Sequence, residues 1–389
     1  MDSFSVEELF HPFSWRDFSN QYFEEKVLLI KRNAPDFFQN LLTIPQVDEV
    51  LFSQQVTHPS FRVVDSKTGE FPDPGTYTQN GSTNINPIEF CSYFTKGGTL
   101  AMAGMHRHVH SLRKFCNNLH EKIGHPTQTN LYLTPPNSQG FSPHYDTHDV
   151  IVLQIDGYKS WKIYESNVEL PDKTMPFQKE GFVPGKVEME FILEPGDLVY
   201  IPRGIVHDAF TTEHSSLHIT LGILGYTWGQ VLIESTLHNT SKEKEFRKYV
   251  SSELSKGDYE QQVDRLLHLL RDDLLQRMPL KRFSHQLKQT TPSHNIGHLE
   301  KLIRLGNISS KNLFIPTMEG VHASKQGKEV VLTGNGKKIV FPEFCELPCS
   351  FLANSAESIK IGAIPGELDD QGKLVLVKRL VAEGLGAIV

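Results

Sequence analysis

Three side chains that bind transition metals are present at positions from which they can share one ion. His144 and Asp146 form an H-x-D pair, and His207 follows further along the chain. Residues two apart on a β-strand point to the same face, so the pair can hold an ion from one side while His207 completes the set. Two imidazoles and one carboxylate on one face of a metal are the ligands of non-haem Fe(II) oxygenases.

The neighbouring sequence indicates a β-sheet setting for the H-x-D pair. Alone, the pair is a weak signal, because most chance occurrences are solvated loop residues. Here residues 150–155 are β-formers, Asp-Gly at 156–157 is a turn signal, and residues 159–164 form a second β-rich run. This pattern predicts a β-hairpin shortly after the pair.

A lysine lies on what should be the buried face of the second predicted strand. Lys159, Trp161 and Ile163 alternate along this strand and share one face, and two of the three are large and apolar. A buried ammonium costs free energy unless it meets an anion. Two interpretations stay open: the ammonium reaches water at the end of a buried stem, or Lys159 points into a barrel and binds the carboxylate of a co-substrate.

Other polar residues invite a functional interpretation. His106, His108 and His110 are closely spaced, but helical periodicity follows at 111–119, so we place them at the approach to a helix and favour an interpretation without metal. A strand before the H-x-D pair has several polar residues on one face, which suits either a pocket wall or a hydrogen-bonded core pair. These residues are Asn130, Tyr132 and Thr134.

Several segments resemble the JmjC-domain 2-oxoglutarate oxygenases, and most closely their ribosomal oxygenase branch. They occur in the family's order and extend over nearly the whole chain. The segments are EEKVLLIKR at 24–32, GHPTQTNLYLTPPNSQGFSPHYD at 124–146, GYKSWKIY at 157–164, LEPGDLVYIPRGIVH at 193–207 and LVLVKRLVAEG at 374–384.

This resemblance implies a set of site residues. It implies that His144, Asp146 and His207 hold Fe(II), and that 2-oxoglutarate and O2 take the remaining positions on the metal. It implies further that Lys159 pairs with the distal carboxylate of 2-oxoglutarate. The other co-substrate residues implied by the resemblance are Asn130, Tyr132 and Thr220.

The resemblance also implies the reaction, which is hydroxylation of a histidine or arginine side chain in a protein. The substrate that it implies is a ribosomal protein. Lys159 resembles the histidine hydroxylases, whereas Gly222 stands where those enzymes tend to have serine, so the target residue type stays open. The alternative function is an oxygenase with the same iron centre that acts on a small molecule or a tailored peptide. A non-catalytic cupin scaffold and a histone lysine demethylase fit the sequence less well.

Many short strands separated by Gly and Pro turns predict a mainly β fold with added α-helices, a double-stranded β-helix of the jelly-roll or cupin kind. We assign the JmjC-type catalytic domain to residues 1–235. The resemblance implies a helical dimerisation region at 236–305 and a winged-helix-like domain at 306–389. We expect a long loop at 65–86 near the active-site mouth and an exposed insert at 166–186.

The predicted dimerisation region contains an apolar stripe at helical spacing, which either packs within its own chain or forms the contact of a homodimer. Helices are predicted at 231–238 and 242–254. The stripe consists of Val263, Leu266, Leu267, Leu270 and Leu274.

Composition limits the class of protein. The 389 residues carry a net charge of −7, with 38% hydrophobic and 22% charged residues, as in a globular protein. No apolar run approaches the roughly 20 residues that span a bilayer, and the first residues are acidic where a signal peptide is basic. The four cysteines are scattered. We therefore expect a cytoplasmic protein without a membrane partner.

The charge also argues against direct DNA binding. Winged-helix folds often contact DNA, but residues 306–389 hold nine Lys or Arg and nine Asp or Glu. A module without net positive charge lacks the electrostatic attraction to phosphates on which such binding depends. We expect residues 306–389 to have a structural or protein-contact role.

Overall fold

The chain folds as two units that divide between Tyr226 and Thr227. The computed structural model describes residues 4–66, 68–276, 280, 283, 297–317, 321–334, 337–355 and 357–389. Among these residues, no helix is both long enough and apolar enough to cross a membrane.

The first half of unit one mixes short helices with strands. Three of its helices begin at a Ser or Thr whose side chain takes part in a capping box, which satisfies free backbone N–H groups at the helix start. The elements are α1 (Val6–Leu9), α2 (Trp15–Gln21), β1 (Leu28–Ile30), α3 (Ile44–Ser53), β2 (Phe61–Val64), α4 (Pro87–Thr95), β3 (Thr99–Ala103), α5 (His110–Ile123) and β4 (Thr127–Thr134).

The second half of unit one supplies the remaining strands of two antiparallel sheets. Their bounds are β5 (Asp149–Gly157), β6 (Lys159–Tyr164), β7 (Val187–Leu193), β8 (Leu198–Ile201), β9 (His207–Phe210) and β10 (Ser216–Ile223). The larger sheet has the order β1-β8-β5-β10-β4-β3-β2, and the smaller sheet has the order β7-β6-β9. Both are antiparallel throughout, as expected for a jelly roll.

Alternation along β5 shows how the two sheets enclose an interior. Val150 and Val152 pack with Trp161 and Ile163 of the smaller sheet. The intervening Ile151 belongs to a separate core, in which the outer face of the larger sheet meets the N-terminal helices. Because neighbouring residues of β5 face opposite cores, the strand is buried on both sides, which explains its continuous run of apolar residues.

The predicted hairpin is wrong, although both of its strands exist. β5 pairs with β8 and β10, whereas β6 pairs with β7 and β9. The chain crosses from one sheet to the other at Gly157, which has a φ of +64° and would place a Cβ 1.8 Å from the carbonyl oxygen of Ser215. A turn signal between two β-rich runs is the same for a hairpin and for a crossing between facing sheets.

Unit two contains helices followed by two small sheets. Its elements are α6 (Trp228–Lys242), α7 (Lys256–Leu275), α8 (His298–Arg304), β11 (Leu313–Pro316), β12 (His322–Gln326), β13 (Glu329–Gly334), β14 (Lys337–Pro342), α9 (Glu346–Ala353), β15 (Ile359–Lys360), α10 (Asp370–Ala382) and β16 (Gly386–Ile388). The sheets have the orders β15-β11-β16 and β12-β13-β14.

Predictions for unit two have mixed outcomes. The β13–β14 pairing and the N-cap of α10 by Asp369 are confirmed. The helix predicted at 242–254 is wrong: Glu243 is extended and ends α6, and a short 3-10 turn, Lys244–Arg247, follows. Residues 335–336 of the predicted turn and 284–296 of the predicted dimerisation region lie outside the described residues.

Candidate active site

The two histidines of the predicted metal set are directly paired through their backbones. The backbone N–H of His144 donates to the carbonyl of His207 at 3.1 Å, and the N–H of His207 donates to the carbonyl of His144 at 2.9 Å. Their ring centroids lie 4.8 Å apart. His207 begins β9, whereas His144 lies in an irregular segment before β5, so the strand position assumed for the H-x-D pair is wrong.

The backbone fixes which nitrogen of each imidazole can bind a metal. Nδ1 of His144 donates to the carbonyl of Ser142 at 2.8 Å, and Nδ1 of His207 donates to the carbonyl of Ile205 at 2.9 Å. A carbonyl only accepts, so Nδ1 carries a proton and Nε2 is the nitrogen that can offer a lone pair to a metal. Burial and the neighbouring His144 lower the pKa of His207 to about 4, which keeps this ring in the neutral, metal-binding form.

The carboxylate of Asp146 completes the cluster. Its Oδ2 lies 3.9 Å from Nε2 of His207. Across the described residues, this is the group of three His, Cys, Asp or Glu side chains whose donor atoms converge, all within 4.8 Å of one another. His207 is 5% exposed, whereas His144 and Asp146 are half-buried, so one side of the cluster faces the barrel interior and the other faces its mouth.

A cavity extends from this cluster into the barrel, with a volume of about 590 Å³ counting its open mouth. It has polar groups at both ends and an apolar wall between them. The lining includes His144, Asp146 and His207, then Val150, Val152 and Trp161, and finally Thr99, Tyr132, Thr134, Lys159, His218 and Thr220.

Lys159 lies at the deep end of the cavity with no carboxylate beside it. It is 3% exposed, and its ammonium donates to Oγ1 of Thr134 at 2.7 Å. No Asp or Glu oxygen of the described chain lies within 4.0 Å of the Lys159 nitrogen. Burial lowers the pKa of Lys159 to about 7. The interpretation in which the ammonium reaches water is therefore wrong.

Two further polar groups of the cavity wall were not predicted as site residues. Nδ1 of His218 and Nε1 of Trp161 are both buried without a hydrogen-bond partner in the described structure. The His218 ring stacks on Tyr132 with centroids 5.1 Å apart. His218 lies two residues before Thr220 on the inward face of β10, so strand alternation from Thr220 identifies it.

The remaining predicted co-substrate residues have different positions. Tyr132 and Thr220 line the cavity. Asn130 is the cross-strand partner of Thr220, but it is not among the lining residues, and its side-chain oxygen accepts from the backbone N–H of Gly104 at 3.3 Å. His106 also has a local partner, since its ring nitrogen lies 3.2 Å from Oγ1 of Thr129.

Aromatic residues from two long loops reach the cavity mouth. Phe177, from the segment predicted as an exposed insert, packs on His144 with centroids 6.2 Å apart and on Tyr145 at 5.3 Å. Phe71, from the loop predicted near the mouth, packs on the cavity residue Phe141 at 6.2 Å. The 166–186 segment is largely exposed, yet its Phe177 contacts a predicted metal ligand.

Gly222 provides room for a neighbouring imidazole. It continues the inward face of β10 beyond His218 and Thr220, and it is paired with Val150 at the end of the barrel that holds the cluster. A Cβ at position 222 would lie 2.8 Å from two ring atoms of His148. The absence of a side chain at Gly222 therefore allows His148 to pack against the strand.

The two facing antiparallel sheets, with converging imidazoles and a carboxylate at one end, define a cupin-type barrel with a candidate metal-binding cluster. Residues 105–231 match the JmjC domain model. The chain therefore contains a JmjC domain within residues 105–231, and its fold combines α and β structure as in cupin-type proteins.

Curated relatives of the chain include the Bifunctional lysine-specific demethylase and histidyl-hydroxylase NO66 of two mosquitoes. The Aedes aegypti protein is 36% identical over 219 residues, which cover 55% of this chain and 33% of the relative. The Culex quinquefasciatus protein is 34% identical over 236 residues, which cover 56% of this chain and 35% of the relative. The match thus spans about a third of the length of these relatives.

Among solved structures, Escherichia coli ycfD has the same fold. It matches with a TM-score of 0.56 and 17% identity over 97% of this chain and 98% of ycfD. A further structure is described as YcfD, a ribosomal oxygenase from Escherichia coli, in complex with cobalt and 2-oxoglutarate, and matches to the same extent.

Proposed function

We propose that this protein is an Fe(II)- and 2-oxoglutarate-dependent oxygenase that hydroxylates a histidine or arginine side chain of a protein. The observation that carries the proposal is one cavity with a convergent His144, Asp146 and His207 cluster at its mouth and the buried Lys159 at its deep end, where it has no carboxylate partner among the described residues. The names of the relatives support it, because NO66 is described as a histidyl-hydroxylase and YcfD as a ribosomal oxygenase.

The donor set fits Fe(II). Two imidazoles that present Nε2 and one carboxylate make the facial ligand set that leaves further positions open. In the proposal His144, Asp146 and His207 hold the ion. Bound together, Fe(II), 2-oxoglutarate and O2 supply the oxidising chemistry that converts a C–H bond into C–OH, while the protein positions the reactants and keeps water out.

The deep end of the cavity fits the distal carboxylate of 2-oxoglutarate. The Lys159 ammonium would form a charge-assisted hydrogen bond to it, and such bonds are about twice as strong as neutral ones. Thr134 already accepts from Lys159 and can donate its own hydroxyl proton to the same carboxylate. In the proposal Tyr132 and Thr220 complete this pocket, and Asn130 supports it from beside Thr220.

The cavity mouth fits a protein segment. Phe71 is 48% exposed beside the mouth, and Phe177 and Tyr145 form an aromatic contact above His144. Exposed aromatic side chains give a large contact area at low cost in side-chain entropy, which suits recognition of a peptide. The target side chain would approach the metal near His148 and Gly222, and we propose a ribosomal protein as its source.

Hydroxylation of peptides tests the function. The protein is incubated with Fe(II), ascorbate, 2-oxoglutarate and peptides that span the histidines and arginines of ribosomal proteins. We expect one peptide to gain the mass of one oxygen atom and His207→Ala to abolish this gain. If no peptide gains oxygen and a free amino acid or metabolite does, the protein is instead a small-molecule oxygenase with the same iron centre.

We further propose that the protein is a homodimer through the helical region at 236–305, with a winged-helix-like module at 306–389 that does not bind DNA directly. No residue of α7 is fully buried, and Leu267 and Leu275 are 55% and 66% exposed, which supports an apolar contact with a second copy.

We also propose a cytoplasmic location, which the four free cysteines support.

A further inference from the structure

A buried carboxylate lies between the two segments that carry the predicted metal ligands. Asp149 is 2% exposed and follows shortly after Asp146. Its Oδ1 accepts from the Tyr200 hydroxyl at 2.7 Å and from the backbone N–H of Arg203 at 3.4 Å. Its Oδ2 accepts from the Arg203 guanidinium at 2.8 Å.

The network extends to the N-terminal part of the unit. The Arg203 guanidinium also donates to the carboxylate of Glu24 at 2.5 Å. The backbone N–H of Glu24 donates to the Tyr200 hydroxyl at 2.8 Å. Glu24, Tyr200, Asp149 and Arg203 therefore form a closed ring of hydrogen bonds, in which each member contacts two others.

The ring adds side-chain contacts between the two ligand segments, which backbone hydrogen bonds between His144 and His207 already join. Arg203 belongs to the turn that leads into His207, and Asp149 ends the segment that contains Asp146. The backbone N–H of Gly204 also donates to the carbonyl of Asp146 at 3.0 Å. Gly204 has a φ of +86°, and a Cβ there would lie 2.2 Å from the carbonyl of Val168, so this turn requires glycine.

We infer that the Asp149–Arg203 ion pair is a positioning device that sets the affinity of the metal cluster. It holds the Asp146 segment and the His207 segment at the spacing that one ion requires. This inference rests on the proposed function only in that the cluster binds a divalent metal. Outer residues that orient ligands typically contribute 10- to 100-fold to metal affinity.

The chain contains a matched control for the loss of a buried carboxylate. Asp197 is 1% exposed and forms an ion pair with Lys31 at 2.5 Å. It also accepts from the backbone N–H groups of Arg32 at 2.9 Å and Glu194 at 2.8 Å. Like Asp149 it belongs to unit one, but these partners do not belong to either ligand segment.

The test is a titration of the full chain with Co(II), followed by the visible absorption of the bound ion, together with urea unfolding. We expect Asp149→Asn to bind Co(II) about 10- to 100-fold more weakly than the wild type, with a changed spectrum. Asp197→Asn should bind as the wild type does, although both variants unfold at lower urea concentration. Asp149→Glu, which restores the charge, should recover part of the affinity.

Tyr200→Phe provides a milder variant if Asp149→Asn does not fold, because it removes one hydrogen bond to Asp149 without changing a charge; we expect weaker Co(II) binding. Unchanged affinity in Asp149→Asn, or in Tyr200→Phe where that variant replaces it, overturns the inference. So does an equal loss in Asp197→Asn, because the effect is then general destabilisation. If His207→Ala binds Co(II) as tightly as the wild type, the metal assignment itself fails, and the proposed function fails with it.

Discussion

In the proposed function, the buried ammonium of Lys159 gives co-substrate binding a defined pH dependence. Burial lowers the pKa of Lys159 to about 7 in the protein without co-substrate. A carboxylate beside the ammonium favours its charged form and raises this pKa. Binding of 2-oxoglutarate above pH 7 must therefore be accompanied by uptake of a proton, so its affinity falls as the pH rises.

The size of the effect follows from the fraction of Lys159 that is charged before binding. That fraction is about one half at pH 7 and about one hundredth at pH 9, and the apparent Kd is inversely proportional to it. We expect the Kd for 2-oxoglutarate to rise about fiftyfold between these pH values. The neighbouring His218 and Tyr132 stay neutral over this range, because burial lowers the pKa of His218 and raises the pKa of Tyr132 to about 12.

Calorimetric titration with 2-oxoglutarate measures this dependence, with Co(II) in place of Fe(II) so that no turnover occurs. Lys159→Arg stays charged from pH 7 to pH 9, so its affinity, reduced by the different shape of the guanidinium, should be the same at both. Lys159→Met should bind weakly at both pH values. If the wild-type Kd is as constant between pH 7 and pH 9 as that of Lys159→Arg, the assignment of Lys159 to the carboxylate is refuted.

The lowered pKa of Lys159 should also make the free energy of unfolding of the protein without co-substrate depend on pH. The pKa of Lys159 is lower in the folded protein than the ordinary 10.5, so the unfolded chain binds more protons between pH 7 and 10.5. The free energy of unfolding contributed by this group therefore rises with pH in that window. The burial penalty below pH 7 is about 5 kcal/mol from the shift in pKa, so Lys159→Met should be more stable than the wild type at neutral pH in urea unfolding.

Three other sets of substitutions test separate parts of the proposal. His207→Ala should remove Co(II) binding and 2-oxoglutarate turnover, and full turnover in this variant would show that the ligand set is wrong. Gly222→Ser should displace the His148 ring and reduce peptide hydroxylation about tenfold or more, because the reactants are then misplaced. Adding His148→Ala removes the displaced ring and should restore part of the hydroxylation activity. If activity does not recover in the double variant, positions 148 and 222 are not coupled. Leu267→Glu with Leu270→Glu should give monomers by light scattering, while an unfolded chain would identify the stripe as core.

The cluster was accessible from the sequence because its signal is local. His144, Asp146 and His207 are of residue types that bind metals and lie beside β-rich runs, and Lys159 is a charged residue on the same face as Trp161 and Ile163 of its own strand. Alternation along one strand needs no knowledge of its partners. The same logic applied to β10 identifies His218, which shows that a strand with one site residue should be searched in both directions.

The features of the fold and the site that could not be predicted are contacts between residues that are distant along the chain. The pairing of β5 and β6 depends on which strands lie beside each of them, and the local pattern contains no information on this. The contact of His148 with Gly222 and the bond of Asp149 to Tyr200 join segments that only the folded barrel brings together. In the sequence Asp149 and Arg203 resemble ordinary surface charges, and only the structure shows that they are largely buried and form an ion pair.

The distribution of polarity along the cavity limits which ligand it can hold. Lys159 lies at the deep end, the candidate metal ligands lie at the mouth, and Val150, Val152 and Trp161 also line the cavity. Only an elongated molecule with an anionic group at one end, an apolar middle and a chelating group at the other satisfies all three regions at once. 2-Oxoglutarate has this sequence of groups. An acid with a single carboxylate would leave either Lys159 or the metal end without its partner, so pyruvate should not compete with 2-oxoglutarate in the calorimetric titration, whereas a shorter dicarboxylic oxoacid should compete weakly.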